Sequence, residues 1–471
     1  MSTSAMQGSP LFRTIDQFRH RDDRGGGIQH NGLPSKTTEE AAQSLWRASS
    51  GWPDKNGDGI RQVSYTFRPA PADPKAVWQK MTGFTHILEN QRQQTRRSLE
   101  SIADVANVTF SEGPKTANSD GHITLGNYGQ MIGSNGKPQS GYSFAVLPGS
   151  SRGGEVWFLS TDDDQYMVNA TLGDAGRHTI IHELGHAMGL RHPGHYDASA
   201  PHAQFDFHED SQSHTNMSYR GERTGYMRHD GFRSSAPQLD DITAYQRQYG
   251  ANFKTRNDDT TYGFNSNTNR DFLSIKSHGD KMVAAIWDGG GTDTLDFSGY
   301  GQDQKISLGA GTFSDVGGLK GNVAIAYGVT IENAIGGSGN DWLVGNAANN
   351  ELHGGDGDDV FYGAEGADSL WGGEGNDIFV YGKTNESSAA APDRIHDFVS
   401  GQDQVDVSGL RAQLGDKPLQ FVRRFSGASG EAIVDYDPLL NMSTLQISGN
   451  PNEPTFLLQV QGQLRRSDIM S

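Results

Sequence analysis

The sequence predicts two folded units in series, an α+β domain followed by an all-β domain wound as a parallel β-roll. Three observations predict this. The chain has 471 residues, too many for one hydrophobic core. Its composition changes after Tyr249-Gly250-Ala251-Asn252, where helical periodicity fades and Gly, Asp and Asn rise. From Gly336 the chain steps in nines, GGSGNDWLV, GNAANNELH, GGDGDDVFY, GAEGADSLW and GGEGNDIFV, in register to Val380. Self-similarity at a fixed period is the mark of a stacked repeat.

Residues 1–20 are polar and lack a clear period, so they read as a disordered tail or pro-segment. Met1 to Asp23 has no apolar h-region, so this stretch is not a secretory signal peptide. Asp54-Lys55-Asn56-Gly57-Asp58-Gly59 opens like an EF-hand loop, but its twelfth position is Tyr65 rather than a bidentate glutamate. It reads as a hairpin turn. Residues 63–67 have strand character. Residues 84–106 form a helical pattern, with Leu99, Ile102 and Ala106 at i, i+3, i+7 between charges such as Arg96, Arg97 and Glu100. Short apolar or aromatic runs at 123–125, 142–147 and 156–159, bounded by Gly, Ser and Pro, predict strands. A second helix is predicted over 177–190. Strands mixed with helices give an α+β domain over residues 21–255, and residues 256–471 make the roll and a C-terminal region.

Composition removes several function classes. There is no cysteine, which excludes a disulfide framework, a thiol nucleophile and a cysteine-rich metal site. A bound metal is then the available staple for a protein outside the cell. The formal net charge of −18 argues against nucleic acid as a partner. No apolar run is long enough to span a membrane, so membrane insertion is not expected. The 61 glycines require part of the chain to be turn-rich.

The segment HTIIHELGHAMGLRH carries chemistry. His182 and His186 stand four apart on a helix, so both imidazoles leave the same face one turn apart. Ile181, Leu184 and Met188 give the helix a buried face. Gly189 can take a left-handed conformation and end the helix, after which the chain turns back with His192. Three neutral imidazoles suit zinc and leave a fourth position for water. Glu183, next to the first ligand, is placed to take that water's proton. His178 lies one turn before His182, but that pairing would put no glutamate beside the first ligand, so His178 reads as a surface or helix-start residue. His195, His202, His208 and His214 read as solvated loop residues.

These residues resemble the extended zinc motif of the metzincin superfamily, and within it the serralysin-type proteases. Asn216-Met217-Ser218-Tyr219 resembles the family's methionine turn. The resemblance implies that Met217 is the floor under the histidines. It also implies that Tyr219 is a further zinc ligand at rest that swings away to hydrogen-bond the oxyanion. A phenol donor suits a developing oxyanion. Pro193-Gly194, Leu239-Asp240-Asp241-Ile242, Tyr249-Gly250-Ala251-Asn252 and Tyr262-Gly263-Phe264-Asn265-Ser266-Asn267 are also serralysin-like, so the resemblance runs from about residue 30 to the end. Asn216 and Arg220 depart from it, standing where an apolar residue and an aromatic are common.

Each nonapeptide offers Gly-Gly-x-Gly-x-Asp and an apolar eighth residue. Glycines allow the tight turn, and carboxylates with backbone carbonyls supply the hard oxygens that calcium prefers. Leu343, Leu352, Phe361, Leu370 and Phe379 are expected to point inward and stack. The span 336–380 holds nine acidic residues and no Lys or Arg, so it should repel itself without a cation. One roll turn uses two nonapeptides, so loops alternate between two sides. One side carries Gly336, Gly337, Gly339 and Asp341, then Gly354, Gly355, Gly357 and Asp359, then Gly372, Gly373, Gly375 and Asp377. It is expected to hold two tight ions. The other carries Gly345 and Asn350, then Gly363, Gly366 and Asp368. There Asn346, Ala348 and Ala364 replace glycines and Asn350 replaces an aspartate, so one weaker ion is expected. Asp288, Gly290 and Asp293, with Asp393, Asp397 and Asp403, look like flanking calcium loops.

The function expected is hydrolysis of internal peptide bonds in extracellular proteins, with one catalytic zinc and several structural calcium ions. Protein or peptide substrates would add as a strand along Ser140, Gly141, Tyr142, Ser143, Phe144 and Ala145. A calcium-dependent adhesin would not need the zinc motif, and a pore-forming repeat toxin would need long apolar helices. Export is expected through a type I secretion channel, because Asp468-Ile469-Met470-Ser471 resembles the family's C-terminal signal except for its polar last residue. A proteinaceous inhibitor and a monomeric state are further expectations from the family.

Overall fold

The computed structural model describes residues 9–47, 51–71, 80–133, 135–161, 165–196, 205–415, 418–450 and 453–471. The first half carries helices α1 (Pro10–Arg19), α2 (Thr38–Trp46), α3 (Glu89–Val105), α4 (Gln165–Val168), α5 (Ala175–Ala187) and α6 (Leu239–Tyr249). Its five-stranded sheet runs Val108–Glu112, Arg61–Phe67, Gly121–Tyr128, Glu155–Leu159 and Phe144–Ala145. The first four are parallel and the last is an antiparallel edge. Helix α5 sits in the core, with Ile180, Ile181, Leu184 and Ala187 buried. Asp174 caps it by accepting from the Arg177 N–H at 2.8 Å, and Gly189 leaves it with φ +103.

The predicted elements hold, with corrections at their ends. The helix predicted from residue 84 begins at Glu89. The strand predicted over 142–147 is only Phe144–Ala145. The segment 54–59 is a turn in which Asp54 accepts from the Gly57 and Gly59 N–H groups. It leads into Arg61–Phe67, whose strand partners both come later in the chain, while the strands before it, Gln29–His30 and Leu33–Pro34, pair with each other, so it is not a hairpin. The pattern missed α2, which is closed by a Thr37/Glu40 capping box, and α6.

The first twenty residues are not wholly a disordered tail. Ser9 caps α1, accepting from the Phe12 N–H, Pro10 occupies the first turn, and Ile15 and Phe18 are buried. They pack on Val344, Val360, Tyr362 and Val380 of the second half. Beyond α1, Arg21 forms a bidentate pair with Asp315 and Arg24 one with Asp240. The N-terminal segment therefore ties the roll to α6.

The second half is the predicted roll. One parallel sheet stacks Lys305–Ser307, Trp342–Val344, Val360–Tyr362, Ile378–Val380, Gln404–Asp406 and Ile469–Met470. A facing sheet stacks Thr261–Gly263, Thr294–Asp296, Asn333–Ile335, Glu351–Asp356, Ser369–Glu374 and Asp393–Ile395, then continues into C-terminal strands. Leu343, Phe361 and Phe379 are in register in one sheet, and Leu352 and Leu370 in the other. All five are buried. The eighteen-residue step follows, because each turn spends one nonapeptide on each sheet. The two halves share one continuous core, which runs from Met217 and Tyr249 to Tyr262, Phe272 and Trp287.

The repeat glycines are required by contact. A Cβ on Gly354, Gly363 or Gly372 would overlap the Oδ2 atom of Asp359, Asp368 or Asp377, which folds over it. Ala364 stands where Gly355 and Gly373 stand in their loops, and it is held at φ +72. A left-handed conformation costs an L-residue about 1–2 kcal/mol, and glycine returns about 0.5–1 kcal/mol of that as chain entropy. Ala364→Gly should therefore raise the thermal midpoint by about 1–2 °C for a chain of this size. A lowered midpoint in a calorimetric scan would show that the alanine is not strained.

Candidate active site

The site grows out of one end of α5. His182 and His186 leave the helix one turn apart, and the chain reverses at Gly189 to bring His192 opposite them. Their ligand atoms form the one group of three or more His, Cys, Asp or Glu side chains close enough to hold a metal among the described residues. His182 Nδ1 meets the Asn216 carbonyl at 2.8 Å, His186 Nδ1 the Leu190 carbonyl at 2.7 Å, and His192 Nδ1 the Tyr196 carbonyl at 3.1 Å. A carbonyl only accepts, so each Nδ1 carries the hydrogen and each Nε2 is bare. His186 Nε2 lies 3.1 Å from His192 Nε2, which lies 3.3 Å from His182 Nε2. Nitrogens at about 2.0–2.1 Å from one tetrahedral zinc stand about 3.3 Å apart, so the triad fits that ion. Burial, then the neighbouring imidazoles, lower the His182 and His186 pKa values and keep them neutral.

Glu183 is buried, and its Oε2 has no hydrogen-bond partner. Burial pushes its carboxyl up to about 8. Tyr219 is the exposed member of the group. Its ring centroid lies 4.3 Å from His192 and 5.8 Å from His182. Met217 lies under α5, and a Cβ on Gly185 would come within 2.5 Å of its sulfur. Glycine at 185 is what lets the methionine turn approach the helix.

The methionine turn is fixed by groups the sequence reading did not assign. Asp241, in the first turn of α6, accepts from Thr215 Oγ1 at 2.6 Å and from the Asn216 N–H at 2.8 Å. Asn216 Nδ2 donates to the Ala236 carbonyl at 2.7 Å, and its Oδ1 accepts from Ser234. A polar residue is thus accommodated where the family usually has an apolar one. Arg47, at the end of α2, donates to the His192 and Gly194 carbonyls at 2.8 and 3.1 Å. The adjacent acidic pair in Leu239-Asp240-Asp241-Ile242 was the available signal.

Two histidine readings need correction. His178 is buried and bonds the Ser234 carbonyl, so it is a core residue rather than a surface one. His214 is buried against Phe313, with its Nδ1 3.1 Å from Ser211 Oγ. His195 is exposed beside Asp206 and His208 is half-buried against His30. His202 lies outside the described residues.

Of the residues expected to meet substrate, Phe144 and Ala145 form the last strand of the five-stranded sheet. Tyr142 is exposed, and its backbone N–H and carbonyl both bond the Tyr128 hydroxyl. Ser143 Oγ accepts from the Leu159 N–H, a Cβ on Gly141 would press on Leu159, and Ser140 is exposed.

In the roll, carboxylates form two ladders. Asp359 Oδ1 accepts from the Asp341 N–H, Asp377 Oδ1 from the Asp359 N–H, and Asp403 Oδ1 from the Asp377 N–H. On the other side Asp368 accepts from the Asn350 N–H and Asp393 from the Asp368 N–H. The second oxygens of Asp359, Asp377 and Asp368 are buried without hydrogen-bond partners, and Asp393 is buried beside the Tyr381 hydroxyl, whereas both oxygens of Asp341 are bonded, to Gln304 and Gly337. Asp397 instead accepts from the Gly372 and Gly373 N–H groups. Asp293 Oδ2 is likewise unpartnered beside Asp288, whose Oδ1 accepts from the Gly290 N–H. Burial, then neighbouring carboxylates, push Asp359 up to about 8 and Asp377 to about 7.

Residues 78–213 match the Matrixin family, and residues 251–471 match the family described as Peptidase M10 serralysin C terminal. The chain is 47% identical over 485 residues to "Metalloprotease AprA" of Pseudomonas entomophila (strain L48), with 100% of this chain and 98% of that relative covered. It is 46% identical over 481 residues to "Metallopeptidase AprA" of Pseudomonas marginalis, with 99% and 98% covered. It is 42% identical over 471 residues to "Serralysin A" of Dickeya chrysanthemi, with 98% and 96% covered.

Proposed function

Because the chain belongs to the serralysin family of zinc metalloendopeptidases, we infer that it cleaves internal peptide bonds of extracellular proteins with one zinc held by His182, His186 and His192. The observation that carries this reading is the convergence of the bare Nε2 atoms at 3.1 and 3.3 Å. Zinc, when bound, supplies Lewis-acid polarisation and lowers the pKa of water. Glu183 takes the proton of the attacking water and passes it to the leaving amine, as its burial and unpartnered oxygen allow. Tyr219 would join the three histidines in holding the ion at rest and, once swung away, would donate a hydrogen bond to the oxyanion. Met217 supports the triad from below. An extended substrate passes along residues 140–145 and adds at the sheet edge formed by Phe144 and Ala145.

The roll serves as a calcium-dependent scaffold. Buried carboxylate oxygens without donors, set over glycines that admit no side chain, fit a hard cation shared by loops eighteen residues apart. Asp393 and Asp403 add one carboxylate from beyond the nonapeptides to each side, so Asn350 still marks the weaker side. Export through a type I channel is supported by the family's C-terminal pattern, here Asp468-Ile469-Met470.

Glu183→Gln should retain zinc by metal analysis and lose nearly all peptidase activity. Near-normal turnover would remove Glu183 from the mechanism.

Tyr219→Phe should lower kcat by about 10²-fold while zinc content stays near one per chain. Loss of zinc would make the tyrosine structural.

Removing calcium should make stability depend on pH. Asp359, Asp368 and Asp377 titrate at about 7–8 when folded, against about 4 unfolded. The calcium-free folded chain therefore holds protons that the unfolded chain has released. Its stability is greatest below about pH 4 for these groups and is lost as pH rises through 7–8. Melts in chelator should fall between pH 5 and pH 8, and added calcium should reverse the fall. Asp359→Ala should lose more of the calcium-dependent gain than Asn350→Ala. An equal loss would mean that the two sides are not ranked by their match to the repeat.

A further inference from the structure

The loop that carries His192 and the turn that carries Tyr219 meet on a buried carboxylate with no assigned role. Asp210 is fully buried. Its Oδ1 accepts from the Tyr196 hydroxyl at 2.8 Å and from Ser218 Oγ at 2.6 Å. Tyr196 belongs to the His192 loop. Its carbonyl accepts from His192 Nδ1 at 3.1 Å, and its ring stacks on the His192 ring at 5.5 Å and 13°. Ser218 belongs to the other side. It precedes Tyr219, and its Oγ accepts from the Arg220 N–H at 3.1 Å. The Tyr196 and Tyr219 rings lie 5.3 Å apart. Gly194 makes the approach possible, since a Cβ there would press on the Tyr196 ring and lie 3.1 Å from Asp210 Oδ2.

We propose that Asp210 is a positioning residue that binds the His192 loop to the Tyr219 turn through Tyr196 and Ser218, and so sets the distance between the third imidazole and the phenol. The physical case is the placement of a single acceptor between two chain segments. One carboxylate oxygen receives both hydroxyls, and the Tyr196 hydroxyl also lies 3.5 Å from Ser218 Oγ, so the two segments are joined at one buried polar node whose loss leaves donors without their charged acceptor. Arg47 holds the His192 loop through the His192 and Gly194 carbonyls. Between that loop and the Tyr219 turn, the Asp210 carboxylate and the contact of the Tyr196 hydroxyl with Ser218 Oγ at 3.5 Å set the registration. Groups that orient a metal-facing histidine typically change metal affinity or activity by about 10–100-fold when removed.

The inference rests on the reading of His192 and Tyr219 as metal-facing groups, and the test separates the two. The full-length, calcium-loaded protein is compared as wild type, Tyr196→Phe, Asp210→Ala, Asp210→Asn and His192→Ala. Zinc transfer to a chromophoric chelator is followed together with kcat, KM and the melting temperature. Tyr196→Phe, which keeps the ring stack and removes one donor, should release zinc several-fold faster. It should lower kcat more than it changes KM, at an unchanged melting temperature. Asp210→Ala should do the same by about ten-fold, with Asp210→Asn recovering part of the loss because its amide oxygen can still accept. His192→Ala should lose zinc outright. Wild-type zinc release and kcat in Tyr196→Phe, with zinc lost from His192→Ala, would overturn the role of Asp210. Zinc retained by His192→Ala would instead overturn the assignment of the metal site. If Asp210→Ala does not fold, Tyr196→Phe and Asp210→Asn carry the decision.

Discussion

Three imidazoles turn their bare nitrogens toward one point because each surrenders its other hydrogen to a fixed backbone carbonyl. That constraint governs the molecule's first half. The Asn216 carbonyl must be held over His182, the Leu190 carbonyl must return past His186, and the Tyr196 carbonyl must reach His192. Each belongs to a different stretch of chain, and each stretch is held by something else. Asp241 fixes Asn216, Gly189 turns the chain back at Leu190, and Arg47 grips the His192 loop. A helix alone would give only the first two histidines.

The roll rests on the same logic with carboxylates in place of imidazoles. Asp359, Asp368 and Asp377 each spend one oxygen on the N–H of the aspartate or asparagine in the preceding turn, which fixes the eighteen-residue step. The other oxygen is left buried over a glycine. An acidic ladder of this kind is self-repelling without a cation, and the apolar stack of Leu343, Phe361 and Phe379 on one sheet with Leu352 and Leu370 on the other must hold against it.

The sequence made legible what has a period or a motif. The nonapeptide count placed the inward residues and both loop series, and the zinc motif placed the three histidines and Glu183. What it hid was tertiary. Leu11, Ile15 and Phe18 do stand at i, i+4, i+7, with Ser9-Pro10 as a helix start, yet a short amphipathic stretch among polar residues declares itself only against the surface it covers. Asp210 and Tyr196 carry no spacing that links them to each other or to Ser218. Asp241 was visible as part of a family pattern, but its hold on Asn216 is a contact between distant segments. His178 and His214 were misplaced because burial of a single histidine depends on what packs over it.

The two halves are one folding body rather than beads on a string. Arg177, on the helix that carries the zinc motif, has no exposed surface and reaches Gln94, Ser98 and Asp271. Asp271 lies beyond the composition change at residue 252. Asp104 of α3 likewise accepts from Arg256 and Arg270. From the opposite end, Arg21 and Arg24 tie the roll and α6 to one short segment. Buried ion pairs add little net stability over an apolar contact, but breaking one leaves an uncompensated charge. Their effect here is to fix orientation. A helix whose first turn is paired into the second half, and whose last two turns carry His182 and His186, cannot tilt independently of the roll. The geometry of the metal site is thus set partly by residues that never approach it.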